Sequence, residues 1–140
     1  MSTSDRLVQR RVILNAKAST GIGTSIDVTD YQDICVCISS ATNANLTVKC
    51  VGSMGKSVDS DAVPDFTAAQ SATNQWDYLS MWDLEPGTIV VGNTGLAFAG
   101  ADDTKNLMVN VSGLKWLNFR VTTYVAGNIN VVCLPFSNKG

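Results

Sequence analysis

Between Gly113 and Leu134 the sequence alternates apolar and polar residues with little interruption. Leu117, Phe119 and Val121 interleave with Asn118, Arg120 and Thr122, and beyond Ala126-Gly127-Asn128 the pattern resumes in Ile129, Val131 and Cys133. Successive side chains on a strand point to opposite sides, so a period of two describes a strand buried on one face. The Ala-Gly-Asn break reads as a turn between two such strands, which makes this stretch a hairpin.

The same reading extends upstream. Leu7 to Ala18 is a first strand with a ragged start, interrupted by arginines, and Ser25 to Val28 is a short second one. Asp33 to Ser39 is apolar on both faces, as expected for a central strand sandwiched between layers. Ala41 to Asn45 reads as a turn, and Leu46, Val48 and Cys50 alternate with Thr47 and Lys49. Ile34–Ile38 and Leu46–Val51 then form a second hairpin, with a five-residue loop, at the centre of the sheet. Further strand patterns occupy residues 75–84, 88–92, 96–98 and 106–111. Turn signals recur between them, and no stretch has a convincing helical period. The expectation is an all-β fold, a single β-sandwich or jelly roll of about 8–10 short antiparallel strands.

Two segments break the pattern. Residues 1–8 form a polar N-terminal arm, and residues 52–75 form one long irregular loop rich in Gly, Ser, Asp, Ala and Thr. Long loops in compact domains are usually functional or disordered, so Asp65 and Phe66 within this one are candidates for partner contact. At 140 residues the chain has the size of one domain, spanning residues 1–140. A domain of this size buries roughly 70% of its unfolded surface, which supports a core without staples.

Charged residues make up only 16% of the chain, against the usual quarter or so, so Ser, Thr, Asn, Gln and Gly must cover much of the surface. Ten basic residues face twelve acidic ones, a net charge of -2. Such a balance supplies no field to steer the chain onto nucleic acid. Arg6, Arg10 and Arg11 form a small basic cluster, readable as a solvated strand end or as part of a partner interface. No window carries the long apolar run of a membrane-spanning helix, and no targeting signal is visible at the start. The expectation is a protein made in a cytosol that stays soluble. Without a secretory signal, Cys35, Cys37, Cys50 and Cys133 read as free thiols that behave as buried small hydrophobes.

The sequence contains no histidine. That removes Ser/His/Asp and Cys/His triads and every zinc site that uses imidazole. Carboxylate pairs occur at Asp59 and Asp61, Asp83 and Glu85, and Asp102 and Asp103, all in turn or loop positions where Asp bends the backbone through its own hydrogen bonds. No EF-hand spacing or phosphate-binding glycine loop is present. The chain therefore reads as non-enzymatic, with no catalytic residue, cofactor or metal expected.

Trp76, Tyr78 and Trp82 fall within ten residues and, on one strand, would share a face. Three readings fit such a strip: sandwich core, an anchor at a subunit interface, or a platform stacked against sugar rings.

The block from Val109 to Val131, with Gly113-Leu114, Arg120-Val121, Thr123-Tyr124, Gly127 and Ile129-Asn130-Val131 at its fixed points, resembles a segment that recurs in small β-sandwich structural proteins of tailed bacteriophages. Ser25 to Tyr31, Ile34 to Val36 and Leu46 to Ser53 look like the strands that precede it there. Gly52-Ser53-Met54-Gly55 departs from the usual Asp-Gly that follows Gly-Ser in such proteins. The resemblance covers about half the chain and implies a virion component, synthesised in the host cytoplasm. A head decoration (cement) protein that bridges and stabilises major capsid protein subunits comes first. The alternative is a tail- or fibre-associated protein, or an adhesion module that binds host glycan through Trp76, Tyr78 and Trp82. It also implies contact with other virion proteins and a homo-oligomer, most often a trimer.

Overall fold

The structure, a computed structural model, describes residues 10–55 and 75–135. The arm at residues 1–8 and most of the long loop, with Arg6, Asp59, Asp61, Asp65 and Phe66, lie outside the described residues.

The described chain is all β. Its strands are β1 (Arg11–Lys17), β2 (Gly21–Ile22), β3 (Ile26–Asp27), β4 (Asp33–Ser53), β5 (Trp76–Leu79), β6 (Met81–Asp83), β7 (Thr88–Val90), β8 (Leu96–Ala99), β9 (Thr104–Asn110) and β10 (Trp116–Pro135). All pairings are antiparallel and join them into one sheet. Gly52 and Ser53, expected in the loop, complete β4.

Both expected hairpins are replaced by something else. β4 is a single strand of 21 residues and β10 one of 20, and they pair with each other from Trp116 opposite Ser53 to Pro135 opposite Ile34. The two breaks that resemble turns lie side by side, with Ala126 opposite Asn45 and Asn128 opposite Ala41. Neither chain reverses there; both strands bend. Thr42 (φ 62°) and Asn43 (φ 54°) on β4 and Gly127 (φ 80°) on β10 take the left-handed conformation that produces the bend. Gly127 has no room for a side chain: a Cβ there would collide with the Ala44 Cα and lie 2.8 Å from the Ala41 carbonyl oxygen. Side chains hold the corner. Tyr124 Oη donates to the Gly127 carbonyl (2.8 Å), and Asn43 N–H donates to Asp102 Oδ1 (2.8 Å).

The bend divides the sheet into two limbs. In the six-stranded limb the order is β1-β10-β4-β9-β6-β7, using the C-terminal part of β10 and the N-terminal part of β4. In the other, short-stranded limb, β2 and β3 flank the start of β10, while β5 and β8 flank the end of β4. One core cluster unites Ile34, Val36, Ile38, Val131 and Cys133 from the first limb with Leu46, Val48, Cys50, Leu117 and Phe119 from the second. The limbs therefore close over each other, with a strand pair turning the corner as in orthogonally packed sandwiches. Cys50 and Cys133, from opposite limbs, meet in this core. Burial, and then the neighbouring Cys133, push the Cys50 thiol well above its ordinary range, and burial pushes Cys133 up to about 12. Both stay protonated at neutral pH.

Candidate interaction surface

An antiparallel sheet usually buries one face and shows a polar face to water. The six-stranded limb departs from that rule. Paired residues share a face, so the register places Leu134, Cys35, Met108, Trp82 and Ile89 in one row across five strands on the side away from the core. Every member is apolar. The neighbouring row holds Val12, Val132, Cys37 and Asn106, with Leu84 beyond, its N–H donating to the Asn106 carbonyl (3.1 Å). Trp82 is 44% exposed, Ile89 53% and Leu134 39%. Between the rows lies an open depression of about 430 Å³, whose lining includes Arg10, Cys35, Cys37, Leu84, Val132 and Leu134.

Charge marks the rim of this face. Arg10 and Arg11, both exposed, sit at the β1 edge, and the turn between β6 and β7 at the other edge carries exposed Glu85. Asp83, the other half of that carboxylate pair, is buried, and Lys105 lies 3.8 Å from both Asp83 and Asp103.

The short-stranded limb has a different outer side. Arg120 and Lys49 stand directly opposite each other on β10 and β4, with Ile22 beside Arg120. Tyr78 joins them: Arg120 Nη1 donates to Tyr78 Oη (2.6 Å), and Lys49 Nζ lies 4.8 Å from the ring centroid, a cation–π contact.

The aromatic strip expected from the sequence is dispersed. A break at Ser80, whose Oγ accepts from Gly92 N–H (3.0 Å), separates β5 from β6, and the two strands join different limbs. Trp76 is 2% exposed, buried opposite Ser53 outside the main core cluster. Tyr78 lies with Arg120, and only Trp82 stands on the apolar face. A three-ring sugar platform is thus not what these residues form. Of the remaining candidates, Arg10 lies at the edge of the same face as Trp82, whereas Arg11, paired with the core residue Cys133, has the opposite parity.

The carboxylates at Asp102 and Asp103 hold backbone. Asp102 accepts from Asn43, and Asp103 accepts from its neighbour Thr104 N–H (2.8 Å), while its own N–H donates to Ser40 Oγ (2.8 Å). Among the described residues, no group of three or more His, Cys, Asp or Glu side chains is placed to hold a metal ion. All four cysteines are free, Cys50 and Cys133 buried and Cys35 and Cys37 half-buried.

Sequence reasoning missed Leu84, Ile89 and Leu134 as surface residues. A signal was present in Asp33–Ser39, whose two apolar faces suggested a strand between layers. One layer is the core, and the other side is the open face.

No family profile and no curated protein matches the sequence. Among solved structures, the crystal structure of the SPBc2 prophage-derived protein YomS is similar, with a TM-score of 0.61 and 14% sequence identity over 91% of this chain and 90% of that one. The chain shares a fold with YomS. The correspondence covers nearly the whole length of both chains, so the likeness is of the whole fold rather than of a fragment.

Proposed function

We propose that this protein is a non-enzymatic structural component of a bacteriophage virion, a decoration protein that bridges and stabilises capsid subunits. The observation that carries the reading is the end-to-end likeness to a prophage-derived protein, which agrees with the resemblance seen in the Val109–Val131 block. The surface supports it. The six-stranded limb offers an apolar outer face and the short-stranded limb a half-buried group of Arg120, Lys49 and Tyr78, and a decoration protein works through interface area whose binding energy favours the assembled shell. Arg120 and Lys49, gathered around Tyr78, give the short-stranded limb a cationic group that suits contact with an acidic surface on the shell.

The reading predicts that the protein co-purifies with assembled particles at a fixed stoichiometry. Mass spectrometry of density-purified particles checks this, and its absence from them overturns the reading. Lys49→Glu is expected to lower occupancy on particles while leaving the fold intact by circular dichroism. The alternative of a tail-located or glycan-binding protein is separated by where immunogold label falls on the particle and by whether Trp82→Ala changes glycan binding.

A further inference from the structure

We propose that the apolar outer face of the six-stranded limb pairs with the same face of a second copy of this chain, about a two-fold axis parallel to the strands. The row from Leu134 to Ile89 is apolar across five strands, so leaving it in water forfeits the burial that each of these side chains offers. Its size suits such a pairing. At about 4.8 Å per strand and about 3.3 Å per residue, four strands taken over seven residues and the three-residue β6 and β7 give a flat footprint of about 500 Å². Accessible area exceeds footprint, which brings each copy towards the ~800 Å² per partner of a stable interface.

The rim selects the partner and its orientation. Two two-fold axes could stack this face on itself. An axis across the strands sets β1 over β1 and brings the Arg10 side chains of both copies towards each other. An axis along the strands sets the Arg10 edge of each copy over the β6–β7 edge of the other, where the turn carries Glu85. The second arrangement is complementary in charge at both ends at once, as an isologous interface requires. It closes at two copies, whereas the phage resemblance implied three. The pair leaves the Arg120, Lys49 and Tyr78 side of each copy outward. A dimer thus presents two identical contact sites, which is what bridging two shell subunits needs. That bridging role rests on the virion reading, but the pairing itself does not.

The test uses the full chain in solution. Sedimentation equilibrium between about 1 μM and about 100 μM should return the mass of a dimer, and Trp82→Ser with Ile89→Ser should return that of a monomer with an unchanged circular dichroism spectrum. Arg10→Glu should weaken the dimer about tenfold, and combining it with Glu85→Arg should restore the affinity. Cys35 and Cys37 should react with Ellman's reagent faster in the Trp82/Ile89 variant than in the wild type. A monomer or trimer throughout, or a wild-type mass in the Trp82/Ile89 variant, overturns the pairing, and failure of the charge swap to restore affinity overturns the axis. A stable dimer that is absent from particles sinks the virion reading alone.

Discussion

Asp27 shows how one exposed residue ties stability to pH. Burial raises its pKa, but hydrogen bonds from Lys115 Nζ (2.8 Å), Thr29 Oγ1 (2.6 Å) and Thr29 N–H (2.9 Å) outweigh that and hold it at about 2, below the ordinary 3.8. A folded-state pKa below the unfolded one contributes stability that is present above the unfolded value and lost as pH falls through the folded value. The window therefore runs from about pH 4 down to about pH 2. The side chain is 49% exposed, so solvent screening reduces the contribution to about 0.5–1 kcal/mol. Asp27→Asn should be less stable than wild type by that amount at pH 7 in urea denaturation, and the gap should close near pH 2. A gap equal at both pH values would assign the loss to hydrogen bonding rather than charge. Cysteine shows how much of this scale is legible in sequence. Free thiols were expected from the sequence, but Cys35 and Cys37 stand on the open face because strand parity, set by the partner strand, turns them away from Cys50 and Cys133.

At the scale of the strand, the alternation from Leu117 to Cys133 was readable and the turn at its middle was not. Ala126-Gly127-Asn128 and Ala41–Asn45 carry left-handed residues, which serve a hairpin turn and a β-bulge equally. Only a distant partner decides between them, and here each break lies beside the other. The bookkeeping across the bend is balanced. Val121 pairs with Val48 and Ile129 with Ser40, eight positions apart on both strands, although bulges interrupt the register between them. Extra residues on β10 around Thr122 and Val125 offset the extra residues on β4 around Thr42 and Asn43. The same parity therefore faces the core in both limbs. This predicts an asymmetry at Val125, which is 66% exposed. Val125→Ala should change stability by no more than about 0.5 kcal/mol. Deleting Val125 should turn Ile129, Val131 and Cys133 outward at about 1.5–3 kcal/mol for each large side chain, enough to unfold a domain of ordinary stability. Thermal melts of the two variants check this, and similar midpoints would mean that the bulge heals locally.

On the scale of the whole molecule, the fold separates two jobs that one sheet rarely performs together. The bend buries one face of both limbs in a shared core, leaving two outer sides free to differ, one apolar and one bearing Arg120, Lys49 and Tyr78. Pairing through the apolar side doubles the cationic side without adding a new contact. If the shell is met through the cationic side, binding of the second site becomes intramolecular, and avidity can exceed single-site affinity by about 10²–10⁴-fold. The Trp82→Ser, Ile89→Ser variant, folded but unpaired, should then saturate particles at high concentration and wash off on dilution, whereas the wild type remains. Occupancy measured by quantitative mass spectrometry before and after dilution reads the difference directly. Equal retention of the two proteins would mean that each copy binds the shell alone, and the apolar face would then have to be sought at the shell contact itself.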